Sequence, residues 1–326
     1  MKSNVGSSSY TYMTRDPRHL PRPGALVEIT QRTIQGRSLF RPSRRLNALV
    51  VGCLSRAQKH TECRVHAVAV LSTHFHLYAS FDTVEQMAGF MCHLKTNLSK
   101  EIGRLHDWEN SLFDGRYHSI PVSDETAAQE ERLRYILSQG AKEGLVLSPR
   151  DWPGVHSANA LTDGEPLRGV WVDRTRLYAA RQRKGTVDER EFTVEEELEL
   201  APLPCWEAIS EQARRERVEV MLRQIERETL AMHEKAGTVP LGTTAIRRRQ
   251  PHERPLRRLA RSPKPRFHAA SKHVRDRLVE VFREFVAAYR ITAERLAAGD
   301  RQVTFPENCF PPRLPFVEPA LGARFT

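Results

Sequence analysis

Two histidines stand one residue apart at His74 and His76, in the run LSTHFHLYAS of residues 71–80. Successive side chains of a β-strand point to opposite faces, so residues i and i+2 share a face. His74 and His76 therefore project side by side, while Phe75 turns into a core. Paired imidazoles suit a metal ion, a phosphate or a proton-transfer site. Further along, RYILSQG places Tyr135 and Gln139 four residues apart in a helical run, which makes them neighbours on one helix face. Two imidazoles and a neutral amide oxygen can hold a hard divalent cation such as Mg²⁺ or Mn²⁺, with positions left for phosphate oxygens. A phenol is a weak nucleophile near neutral pH and needs an electrophile polarised by such a cation. Each residue also has an ordinary reading. Tyr135 alone reads as a half-buried helix tyrosine, Gln139 as a solvated side chain near a helix end, and the histidines as hydrogen-bonded members of a sheet. The combination points to phosphodiester transesterification.

The elements that must position these groups follow from patterning. ALVEITQRT (25–33) alternates as a strand, and PSRRLNALVVGCLSRAQKH (42–60) carries helical spacing behind Pro42 and Ser43. CRVHAVAVLSTHFHLYAS (63–80) reads as two strands joined at Ser72-Thr73, and TVEQMAGFMCHLKTNLSKEIGRL (83–105) as a helix with a Thr cap. SLFDGRYHSIPV (111–122) is a fourth strand bent at Gly115. SDETAAQEERLRYILSQGAKEGLV (123–146) opens on a Ser/Asp cap and ends as a helix around Gly140. The order β-α-β-β-α-β predicts an α+β fold of the ferredoxin-like, split βαβ plan, with one antiparallel sheet and an added helix on its open face. The His pair lies on the third strand, a central position in that plan.

Composition bounds the partners. The chain has 326 residues, net charge +11 and pI ≈ 9.7, which favours a polyanion such as nucleic acid. Residues 1–165 hold 20 Lys+Arg against 17 Asp+Glu, whereas residues 166–326 hold 31 against 23. Most of that excess lies in RRRQPHERPLRRLARSPKPRFH (247–268). Five cysteines without C-x-x-C spacing argue for reduced thiols in the cytoplasm and against a structural zinc cage. No apolar run is long enough to span a membrane. Residues 1–21 read as a disordered leader, 22–160 as the domain carrying the chemistry, and 161–326 as a basic, mainly helical and loop-rich C-terminal extension.

The region from about residue 22 to 160 resembles the single-tyrosine HUH transposases, most of all the REP-associated tyrosine transposases. EITQRT, STHFHLY, FDGRYHSI and YILSQGAKEGLV stand in the order and spacing of that family's T-Q-R, P-N-H-x-H, aromatic-Q-G-R-F and Y-I-x-x-N-P-V-x-x-G-L-V motifs, and RDWPGVHS is similar to its closing D-W/Y-P-W-S-S. Ser72-Thr73 replace the family's Pro-Asn, Phe113-Asp114 its Trp-Gln, and Gly140 the proline after the ligand position. The resemblance implies that His74, His76 and Gln139 ligate Mg²⁺ or Mn²⁺ and that Tyr135 is the nucleophile. The implied reaction cleaves single-stranded, hairpin-associated DNA through a 5′-phosphotyrosine link and can reverse to rejoin it. It implies a cytoplasmic, nucleoid-associated protein, with a homodimer among the arrangements to test.

Basic residues expected to meet DNA are Arg32, Lys95 and Arg116 around the sheet, and Arg247, Arg248, Arg249, Arg257 and Arg258 in an Arg-rich arm that gains from counterion release. VWVDRTRLYAARQRK (170–184) could extend the DNA surface, and VDEREFTVEEELEL (187–200) reads as a solvated acidic stretch. One rival is a protein that binds single-stranded or hairpin DNA without cutting it. Another is a metal-dependent hydrolase of small molecules, disfavoured by the basic charge and by the lack of a recognisable carboxylate base beside the His pair.

Overall fold

The computed structural model describes residues 17–255 and 265–312. Arg257 and Arg258, most of the expected leader and the chain after residue 312 lie outside the described residues. The N-terminal elements run β1 (Ala25–Arg32), α1 (Arg44–Thr61), β2 (Arg64–Leu71), β3 (His74–Phe81), α2 (Val84–His106), β4 (His118–Pro121) and α3 (Thr126–Leu137). The four strands form one antiparallel sheet in the order β2-β3-β1-β4. This is the split βαβ plan expected from the sequence, with the His strand central.

Local chemistry sets most of the boundaries. Ser43 and Thr83 cap α1 and α2, their hydroxyls accepting from the amides of Leu46 and Gln86. The β2–β3 turn falls at Ser72-Thr73, where the Thr73 carbonyl oxygen accepts from the Thr33 amide at 2.9 Å. Two elements are shorter than expected. The fourth strand keeps only His118–Pro121, because Gly115 turns with φ 66° and its upstream half pairs through the isolated bridge Thr33–Phe113, just past the end of β1. The last helix starts at Thr126 without a side-chain cap and ends at Leu137, before Gln139.

Alternation gives the sheet two different faces. Val27, Ile29, Phe75, Leu77 and Phe81 pack with Leu46, Val50, Met87, Phe90 and Leu94 of α1 and α2 in one core. Leu26, Ala67, Ala69, Leu71 and Tyr78 face the other way, against Leu133, Ile136 and Leu137 of α3. Each fully buried Leu, Ile or Phe contributes about 1.5–3 kcal/mol, and both faces hold many. The second face is also where His74 and His76 point.

The rest of the chain is α4 (Ala158–Asp163), β5 (Leu167–Val172), α5 (Arg174–Lys184), β6 (Thr193–Leu198), α6 (Glu211–Ala236), α7 (Thr243–Arg248) and α8 (Lys272–Ala297). It folds onto the first domain. Val218, Leu222 and Ile225 of α6 complete the core beneath α3. The antiparallel β5–β6 pair lies on α1, where a Cβ at Gly169 would stand 2.5 Å from the Ala48 carbonyl oxygen and one at Gly52 1.9 Å from that of Val170. Only glycine permits this approach of strand to helix. The acidic run is not simply solvated: it forms β6, and Glu196, 3% exposed, sits between Arg56 and Lys59 of α1 at 2.6 Å each. A separate small core gathers Phe285, Val286 and Tyr289 of α8 with Cys309.

Candidate active site

The site lies on the α3 face of the sheet. In the β1–β3 ladder Arg32 is opposite His74 and Thr30 opposite His76. Directly opposed residues share a face, so Glu28, Thr30 and Arg32 stand beside the two histidines. Phe75 is 2% exposed on the other face, as the alternation requires. The imidazole rings of His74 and His76 are 5.1 Å apart. Thr73 Oγ1 lies 3.0 Å from His74 Nδ1, so the turn threonine touches the first histidine.

Above them, α3 carries Tyr135 with its ring 5.8 Å from that of His76, edge to face. Tyr135 is 39% exposed, although its helix neighbours Leu133 and Ile136 are buried. Two cations attend it: Lys142 Nζ lies 3.6 Å from the ring centroid and the Arg132 guanidinium 5.0 Å. Gln139 is buried in the turn after the helix, and its Nε2 donates to the Tyr135 carbonyl oxygen at 2.8 Å. The one-turn relation between tyrosine and glutamine thus comes from this bond and not from a continuing helix. Gly140 adopts φ 90°, and a Cβ there would stand 2.9 Å from the Trp152 ring.

Imidazole nitrogens and an amide oxygen are donor types that a hard divalent cation accepts. For His76 the ring nitrogen that is not bonded to Glu28 is Nε2, and for Gln139 the atom not bonded to Tyr135 is Oε1, each a suitable ligand atom. Among the described residues no group of three His, Cys, Asp or Glu side chains is placed to hold a metal.

Sequence reasoning missed Glu28, Arg132, Lys142 and His268. Glu28 is 2% exposed, with Oε1 2.7 Å from His76 Nδ1 and Oε2 2.8 Å from Arg132 Nη1. A carboxylate does stand beside the His pair, contrary to the expectation above. Both its oxygens are engaged, so it is not placed as a base toward a substrate. Burial by itself raises the Glu28 carboxyl, but the His76 hydrogen bond and the charges of His76, Arg132 and Lys142 outweigh it and hold the group below the usual carboxylate range. The signal was present in ALVEITQR, where an acid interrupts the apolar residues two positions from Thr30 and four from Arg32.

The basic residues fall into two patches that flank the His74 end of the sheet. In the first, Lys95 Nζ donates to the Gly115 carbonyl oxygen at 3.1 Å and lies 5.1 Å over the Phe113 ring. Arg18 stacks on Tyr117 at 3.3 Å. Burial, then the charge of Arg116, pulls Arg18 down to about 9, and burial followed by Arg18 lowers Lys95. The Asp114 amide donates to the Arg32 carbonyl oxygen at 3.0 Å, which ties this loop to the end of β1. In the second patch Arg41, Arg44 and Arg247 line a cavity of about 520 Å³ together with Ser43 and Asn47. Arg41 Nη1 donates to the Arg247 carbonyl oxygen at 3.3 Å. The Phe40 amide donates to the Ser72 carbonyl oxygen, so this cavity adjoins the turn that precedes His74. Arg248 and Arg249 are exposed at the end of α7. The start of the expected arm is anchored: His252 packs on Trp108 with rings 5.4 Å apart, and its carbonyl oxygen accepts from Arg37.

No family model matches the chain, and no curated protein matches it. Solved structures do. One is the structure of a REP-associated tyrosine transposase bound to a REP hairpin, at 15% identity and TM-score 0.37, covering 44% of this chain and 82% of that one. Another, from Deinococcus radiodurans R1 and described as a "putative transposase", matches at 16% identity and TM-score 0.27, covering 41% of this chain and 95% of that one. Both carry a transposase designation. No helix among the described residues is long and apolar enough to cross a membrane.

Proposed function

We propose that this protein is a metal-dependent, transposase-type endonuclease that cleaves and rejoins single-stranded, hairpin-associated DNA through Tyr135. The observation that carries the reading is the solvent-open tyrosine ring 5.8 Å from His76, with His74 beside it and two cations over the phenol. Tyr135 Oη attacks the scissile phosphorus, the bond from phosphorus to the 3′ oxygen breaks, and the 5′ phosphate stays on the tyrosine. The phenol proton is given up as the strand opens, and the departing 3′ oxygen gains a proton, so the balance permits reversal. A Mg²⁺ or Mn²⁺ ion held by His74, His76 and Gln139 would supply Lewis-acid polarisation of the phosphate. Lys142 and Arg132, stacked on the ring, place positive charge beside the nucleophile. The patches around Arg18, Lys95 and Arg116 and around Arg41, Arg44 and Arg247 hold backbone phosphates on either side, which positions the strand without reading its sequence.

Incubation with a labelled single-stranded hairpin and Mn²⁺, followed by a denaturing gel, tests this directly. A covalent protein–DNA band is expected with the wild type and is abolished in Tyr135→Phe. Hairpin binding without any covalent band would support the rival, a DNA-binding protein that does not cut.

A further inference from the structure

We propose that Glu28 is a positioning residue that fixes the orientation of His76, and that the segment 267–271 holds Glu28 in place through His268 and Arg132. The inference rests on the reading of His76 as a metal ligand and adds residues to it, one of them from the far end of the chain.

Four side chains form a continuous line. His76 Nδ1 lies 2.7 Å from Glu28 Oε1, Glu28 Oε2 accepts from Arg132 Nη1 at 2.8 Å, and Arg132 Nη2 donates to His268 Nδ1 at 2.8 Å. A carboxylate only accepts, so whenever the His76 ring is neutral its hydrogen sits on Nδ1 and its lone pair on Nε2. Carboxylate–histidine pairs of this kind set the tautomer and ring orientation of metal-binding histidines. Glu28, His76 and Arg132 are 2%, 4% and 8% exposed. Burying such a set is not a route to stability, because apolar side chains of similar volume do as well or better. The alignment of the ring accounts for the charges. Arg132 also reaches over the Tyr135 ring, so one guanidinium touches both the carboxylate and the nucleophile's ring.

His268 is brought to this line by backbone pairing. Its amide donates to the Pro121 carbonyl oxygen at 3.0 Å, and its carbonyl oxygen accepts from the Ser123 amide at 2.9 Å, extending the sheet edge at β4. The Ala270 and Ser271 amides then donate to the Glu125 carboxylate at 3.0 and 3.1 Å, just before α8 begins. Next to it, Phe267 is buried against Phe282 of α8. His268 Nε2 stands 3.4 Å from Glu131 but makes no hydrogen bond, so its strong contact is the one to Arg132.

The test uses the full-length protein with ¹⁵N-labelled histidine. Long-range proton–nitrogen spectra of the metal-free protein read the His76 tautomer, and calorimetry with Mn²⁺ reads affinity. The wild type is expected to show the Nδ1–H form. Glu28→Gln, whose amide can present either atom, is expected to mix the tautomers and weaken Mn²⁺ binding roughly 10- to 100-fold. His268→Ala, at a half-buried edge position, is expected to shift both readouts the same way by less, with its melting temperature kept. An Nε2–H form in the wild type, or an unchanged tautomer and affinity in a folded Glu28→Gln, overturns the role of Glu28. If Glu28→Gln does not fold, unchanged readouts in His268→Ala overturn the link to the C-terminal segment. A wild type that binds no Mn²⁺ removes the metal reading of His74 and His76, whereas the tautomer signature decides the orientation of His76 by itself.

Discussion

Arginines are placed in two opposite ways within this molecule. Arg132 is buried, with one side of its fork on Glu28 and the other on His268. Arg41, Arg44 and Arg247 surround an open cavity whose lining contains no acid. A buried guanidinium must be matched by hydrogen bonds and opposite charge, or it is too costly to desolvate. Surface guanidiniums without acids stay hydrated and repel each other until a polyanion arrives, when they release its counterions. The first arrangement aims a side chain. The second waits for a strand.

The comparison breaks most sharply at Arg132. Arg132→Met leaves Glu28 buried with only His76 as partner, and should cost about 3–5 kcal/mol in urea denaturation. A loss below 1 kcal/mol would mean that the network is solvated and that the contrast with the surface patch is false. The next effect is acid sensitivity of the interior. Burial pulls His66 and His156 down to about 4, His66 being held between the Ala201 carbonyl oxygen and the Ser80 hydroxyl. Each therefore binds a proton more readily when unfolded. Its contribution is full above pH 6.5 and is lost as pH falls toward 4, at most about 3 kcal/mol per residue. Thermal melts between pH 7 and 4.5 should follow that window, and substituting Gln for either histidine should flatten it. The smallest effect on folding is expected at the open patch. Replacing Arg41, Arg44 and Arg247 by Ser should change stability by no more than about 0.5 kcal/mol. It should nevertheless lower the slope of log K against log salt for single-stranded DNA by roughly 2, at about 0.7 per phosphate lost. An unchanged slope would leave that cavity without a phosphate.

Much of the fold was legible because its signals are local. Ser43 and Thr83 cap helices at the positions their spacing suggests, and Ser72-Thr73 turns between two strands whose alternation sets the faces of His74, Phe75 and His76. What could not be read depends on partners far away in the chain. Glu196 looks solvated in VDEREFTVEEELEL, yet Arg56 and Lys59, some 140 residues earlier, draw it inside. Gln139 looks like the next turn of a helix, but the chain leaves the helix at Leu137 so that Gly140 can pass the Trp152 ring. Glu28 was visible as an acid in an apolar strand. Its meaning lies in residues 76 and 132, which no spacing within ALVEITQR can supply.

The line from His76 to His268 also has a direction in time. A ribosome delivers Glu28 first, then His76, then Arg132 and Tyr135, and His268 well over a hundred residues later. A nascent chain that has emerged only through α3 already has both sheet histidines and the tyrosine, but Arg132 lacks its last acceptor and the edge of β4 lacks its bridge to residue 268. Completion of the site is thus deferred until most of the chain has been translated, and premature termination within α6 yields the tyrosine and the histidines without the anchor that locks their surroundings.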